Sequence, residues 1–183
     1  MCTYVSPPSR KHHSLINLLP ARFPGSTSDS SNSMMQNLMK VREFVIPALL
    51  VAMISDGRLR REIGSWPLRR ERDHYGNLWE SELGEVYHSA VEIKQTTEKL
   101  PVGFDPELEG AEDEWSSAPG FIPYINDFSK IVEFGMSGDG APFCLDYREQ
   151  PDEPSVIWWD DVYWRRVAPS FADFIALFDL STP

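Results

Sequence analysis

Between Ile131 and Leu180 the hydrophobic rhythm of the chain changes several times, and each change predicts an element. Phe143, Leu145 and Tyr147 alternate with Cys144, Asp146 and Arg148, the period of two that marks a strand with two different faces. Arg148 to Pro154 reads as a polar loop, in which neither Pro151 nor Pro154 has an N–H to give to a ladder. Val156, Ile157, Trp158 and Trp159 form a β-branched and aromatic strand, Asp160-Asp161 turns the chain, and residues 162–167 return. The spacing predicts a meander. Beyond it, Phe171, Phe174, Ile175 and Phe178 recur at helical intervals, with Ser170 placed three residues before Asp173 as a capping box. This amphipathic helix is expected to close over the meander as the last layer of an α+β fold.

Upstream the pattern is thinner. Met35, Leu38, Met39, Val41 and Arg42 suggest a helix, and Pro47 suggests the first position of another that runs through Ala48 to Ile54. Gly57 is placed just past its C-terminus. Arg58 to Arg72 is arginine-rich and broken by Gly64 and Pro67, so it reads as loop, and Gly76-Asn77 reads as a turn. Gly84 to Tyr87 is a short strand candidate. Ser89 and Glu92 repeat the capping box and open a helix to about Lys99, stopped by Pro101. Pro106 to Pro119 is an acidic loop, and Phe121–Ile125 and Phe128–Phe134 lead as strands into the meander.

Composition narrows the class. The chain has 183 residues, 42% of them hydrophobic and 12% aromatic, enough for one domain with a real core. Residues 1–33 hold serines and prolines without periodicity and read as a disordered N-terminal tail, leaving 34–183 as a single domain. The apolar run Leu15, Ile16, Leu18, Leu19 is too short for a signal peptide and is interrupted by Asn17 and Pro20. The longest apolar run, Phe44 to Ile54, contains Pro47 and falls well short of the roughly 20 residues a spanning helix needs, so no membrane is expected. Cys2 and Cys144 lie far apart and near no His or Cys cluster, which fits a reducing, cytoplasmic setting better than a disulfide scaffold.

The formal charge of −11 is unevenly placed. Residues 101–183 carry seventeen acids against Lys130, Arg148, Arg165 and Arg166, a net of −13, while residues 34–100 balance to zero. Such a domain repels phosphate backbones, so no nucleic-acid partner is expected and a basic protein is a plausible one. Solubility alone is the plainer explanation of the same charge.

A family resemblance rests on Gly120-Phe121-Ile122-Pro123, then Ile131, Phe134-Gly135 and the turn Ser137-Gly138-Asp139-Gly140, then Phe143-Cys144-Leu145-Asp146, the aromatic strand, and Arg166-Val167-Ala168 leading to Ser170-Phe171 and Phe174. With the helix after Ile46-Pro47 and the strand–helix step from Tyr87 to Lys99, this resembles the SUKH superfamily, the Smi/Knr group. The charged stretch 58–80 is an insertion relative to it. The resemblance implies a two-layer α+β domain, a mainly antiparallel sheet with helices packed on one face and a C-terminal closing helix. It also implies a protein-binding role: bacterial members are typically immunity proteins that neutralise a partner toxin, and fungal members are regulatory scaffolds in cell-wall synthesis. A single domain with no long C-terminal extension points to the bacterial kind.

Candidate chemistry is sparse. Gly135-Met136-Ser137-Gly138-Asp139 departs from a nucleophile elbow at Asp139 and is followed by a strand rather than a helix. No dinucleotide-binding glycine order is present, and Gly138-Asp139-Gly140 reads as a tight turn. Asp139, Asp146, Asp160 and Asp161 carry oxygen donors for a hard cation, yet their spacing matches no calcium loop and turn roles account for each. His12, His13, His74 and His88 are scattered and lack an acid–base partner. The expectation is therefore no catalytic residue, no cofactor and no metal. Trp158 and Trp159 are adjacent and must face opposite ways on a strand; one of them, with Trp164 and Arg165, is a candidate interface anchor, unless helices or the 101–119 loop cover both faces, the slightly plainer reading. The candidate partner-binding set is Asp152, Glu153, Trp158, Trp159, Asp160, Asp161, Trp164 and Arg165, facing a basic toxin or effector.

Overall fold

The computed structural model describes residues 39–60, 65–103, 117–122, 124–160 and 163–180. They belong to the second of two units into which the chain divides, Gln36–Pro183. The sequence readings for 1–38, for Pro106–Trp115 and for Asp161 lie outside the described residues.

The strands are β1 (Lys40–Val41), β2 (Phe44–Val45), β3 (Leu83–Val86), β4 (Phe121–Ile122), β5 (Ile131–Ser137), β6 (Pro142–Asp146), β7 (Ser155–Asp160) and β8 (Tyr163–Ala168). The helices are α1 (Ala48–Ser55), α2 (Ala90–Thr97), α3 (Leu100–Gly103) and α4 (Phe171–Ile175). Strands β3 to β8 form one antiparallel sheet in the order β3-β5-β6-β7-β8-β4. The expected α+β class, antiparallel meander and C-terminal helix are present.

Alternation along the meander becomes two cores rather than a wet face and a dry one. Phe143, Leu145 and Tyr147 join Phe134, Val156, Trp158 and Val167 on one side, under Leu50 and Met53 of α1, Ile93 of α2 and Phe171 and Phe174 of α4. Cys144 and Ile157 point the other way, where Ile131 and Trp164 pack with Leu100, Ile122, Ile125 and Phe128. The second face is thus covered mainly by the strap that runs from Ile122 into β5. Asp146, buried on this strand, is satisfied by Arg148, whose Nη2 lies 2.7 Å from its carboxylate.

The caps form as expected, with one difference. Ser89 accepts from the Glu92 N–H and Ser170 from the Asp173 N–H, both at 3.1 Å. The return arms differ: Glu92 reaches past the cap to the His88 N–H, and the shorter Asp173 takes the Ser170 hydroxyl. Pro101 does not simply stop a helix. It sits in the first turn of α3, where a missing N–H costs little. Pro47 caps α1 rather than opening it, and α4 ends at Ile175, with Phe178 continuing into a bridge to Leu68.

The described part of the helix expected around Met35–Arg42 is instead the hairpin β1–β2. Its turn holds Arg42 at φ 55°, a conformation that costs a non-glycine residue energy. Tertiary bonds secure it: the Arg42 guanidinium donates to the carbonyls of Phe128 and Ser129, and Tyr147 donates to the Val45 carbonyl at 2.9 Å. Tyr147 also stacks on Phe44 at 4.4 Å between centroids.

Gly120 seats the edge strand β4. Its φ is 79°, and a Cβ there would lie 2.5 Å from the Arg166 carbonyl oxygen, an atom of the β8 backbone that cannot move aside as a side chain could. Gly120→Ala is expected to lower stability by at least about 2 kcal/mol in a denaturant titration, from backbone strain and the clash together. An unchanged midpoint would contradict this account of the edge.

Candidate functional site

The antiparallel order separates the candidate residues. The β5–β6 turn and the β7–β8 turn lie at one end of the sheet, and the loop from Tyr147 to Pro154 lies at the other. Asp160 therefore stands a full strand length from Asp152 and Glu153, and these acids form no single patch.

At the first end, Arg165 is largely buried, at 7% exposure. Its position on β8 faces Trp158 across the ladder, and its guanidinium carbon lies 5.4 Å from the Trp158 ring and 5.5 Å from the Trp79 ring. Nη1 approaches Asp160 at 3.1 Å, and Nε lies 3.8 Å from Asp73. Asp73 is itself held in a tight turn, accepting from the N–H groups of Tyr75 and Asn77 and from the Asn77 amide. The turn is tied onward, since Asn77 donates to Pro119 and His74 donates its N–H to Val167. Beside this, burial and then Asp160 push the Tyr163 phenol up. Arg165 thus joins the end of β7 to the Asp73 turn. It is a structural anchor.

Of the two readings of the tryptophans, an outward anchor or cover on both faces, this placement fits the second. Trp158 belongs to the first core, Trp164 to the second, and Trp159 is half-buried against Trp164 at 5.5 Å between centroids. The physical reason is that both faces of β7 and β8 are covered, so adjacent residues pointing opposite ways are both enclosed. Asp160 is compensated by Arg165, which leaves it little charge to offer a partner.

The negative charge also divides. Glu133 and Asp146 are interior, and Glu149 pairs with Arg166 at 2.7 Å. Asp127, Asp139, Asp152 and Glu153 are exposed. At the far end of the sheet, Asp152 and Glu153 stand on a loop whose base is fixed by the buried Pro154. The sequence does not reveal the Arg165 anchor because Asp73 and Trp79 flank and follow the arginine-rich stretch that reads as loop. The Asp73 to Asn77 spacing, typical of a side chain that bonds its own turn, is the signal available there.

Among the described residues no group of three His, Cys, Asp or Glu side chains converges as a metal site, and no helix is long and apolar enough to cross a membrane. The constellation is that of an α+β domain in which the buried Asp73, Asp146 and Arg165 brace its own backbone, with exposed carboxylates on its loops. The chain belongs to the SMI1 / KNR4 family (SUKH-1), whose model matches residues 62–177. No curated protein and no solved structure matches the chain. The hairpin and α1 precede the family match, yet Val41, Phe44, Ile46, Leu50 and Met53 lie in the same core as the matched strands.

Proposed function

We propose that this SUKH domain is a non-enzymatic protein-binding module, and that it acts as an immunity protein that neutralises a basic partner toxin by binding it. Family membership supports the binding role, since SUKH proteins bind protein partners. The observation that carries the choice of partner is the exposed pair Asp152 and Glu153, set on a short loop in a segment of net charge −13. Exposed carboxylates at a loop tip raise the encounter rate with a basic surface while adding less to affinity. Trp158, Trp164 and Arg165 serve this reading from within, by holding the strands that carry the loops. The test is co-expression with the product of the adjacent gene: a stable complex that protects cells from that product is expected. Recovery of cell-wall-synthesis or signalling proteins in its place, without protection, would replace the immunity role with that of a regulatory scaffold.

A further inference from the structure

β3 pairs with β5 only along Gly135 to Ser137 and then leaves the sheet, with Tyr87 making the last backbone bond to Phe134. The vacated edge of β5 is taken by α2. Thr97, fully buried, accepts the Glu133 N–H at 3.0 Å through its hydroxyl, so a side chain replaces the missing ladder partner.

Glu133 is the unusual group at this joint. It is 9% exposed and accepts the Tyr87 hydroxyl at 2.6 Å. The groups that face it from the packed elements are Tyr87 after β3, Thr97 and the more distant Lys99 at the end of α2, and Cys144 opposite it on β6; Glu85 acts on Tyr87 in turn. Burial holds both Tyr87 and Cys144 protonated well above their ordinary ranges, so neither can neutralise a carboxylate. One phenol donor is a thin substitute for water around a buried charge.

We propose that Glu133 makes the seating of α2 on the edge of β5 proton-dependent, a latch that is tighter when Glu133 carries a proton and looser when it is ionised. The direction is fixed by burial, which raises the Glu133 pKa in the docked state. The docked form therefore binds the proton more tightly than the opened form. Its extra stability is fully present below the ordinary glutamate range and is lost as pH rises through the docked value. Cys144, wholly buried opposite Glu133, lies in the second core with Leu100, which follows α2 closely in the chain, and its accessibility is the readout of α2 opening.

The full chain carrying Cys2→Ser, which leaves Cys144 as its one thiol, is labelled with a dipyridyl disulfide from about pH 4 to about pH 8. This protein is the parent, and the same measurement is made with Glu133→Gln added, a neutral side chain of the same shape. Dividing the parent rate by the Glu133→Gln rate at each pH cancels the thiol's own chemistry. That ratio is expected near one at the acid end and several-fold above one at neutral pH. Tyr87→Phe, which keeps the carboxylate and removes its donor, is expected to label faster than the parent at neutral pH and to respond more steeply to pH. A ratio that does not change with pH, or a Tyr87→Phe protein whose labelling follows the parent at every pH, overturns the latch.

Discussion

Phe174→Ala is expected to remove about 3–5 kcal/mol of stability, a large share of what a domain of this size has. The ring has no solvent exposure. It packs edge-on to Phe134 at 5.5 Å, against Phe143 at 4.9 Å and against Phe178 at 5.1 Å between centroids. These partners come from two central strands and the end of the chain, so no small shift of α4 fills the space left behind. Aromatic pairing adds to the simple burial term. The check is urea unfolding at an unchanged slope. A loss below about 1 kcal/mol would mean that α4 rests on the surface and does not close the core.

Arg165→Met is expected to cost about 3 kcal/mol, even though methionine keeps most of the apolar stem. The substitution leaves Asp73, whose side chain has no exposure, without its nearby cation and removes the guanidinium from Asp160. Removing one member of a buried pair is costly because the other charge stays behind unpaired. The three N–H donors already on Asp73 place the value toward the lower part of that range. It also removes the guanidinium from beside two indole rings that contact each other. A double-mutant cycle with Asp73→Asn should show coupling of at least about 1 kcal/mol. Additive losses would show that Arg165 acts through packing alone.

Much of the fold is written locally. The strands from 142 to 168 and the capped starts of α2 and α4 follow from residue alternation and from hydroxyls three residues before an acidic side chain, interactions that need no distant partner. The hairpin at 40–45 does not. Its strands are two residues each, its turn is strained at Arg42, and the bonds that secure it come from Phe128, Ser129 and Tyr147, far away in the chain. The same holds for the aromatic residues. Alternation shows that Trp158 and Trp159 face opposite sides, but not that the strap from Ile122 to Ile131 covers the second side. Charge is hardest of all to read, because whether Asp160 or Glu133 is exposed, paired or buried depends on elements from other parts of the sequence.

The proposed binding role is tested most directly by association kinetics between this protein and the product of the adjacent gene, at low and high salt. The Asp152→Lys, Glu153→Lys double variant is the comparison, since both side chains are exposed and their reversal spares the core. The account predicts that the association rate of the parent protein falls several-fold with added salt. The double reversal should lower it by a similar factor at low salt, with little change in the dissociation rate. A complex that forms at a rate indifferent to both salt and the reversal would contradict it, and would move the interface away from the acidic loop.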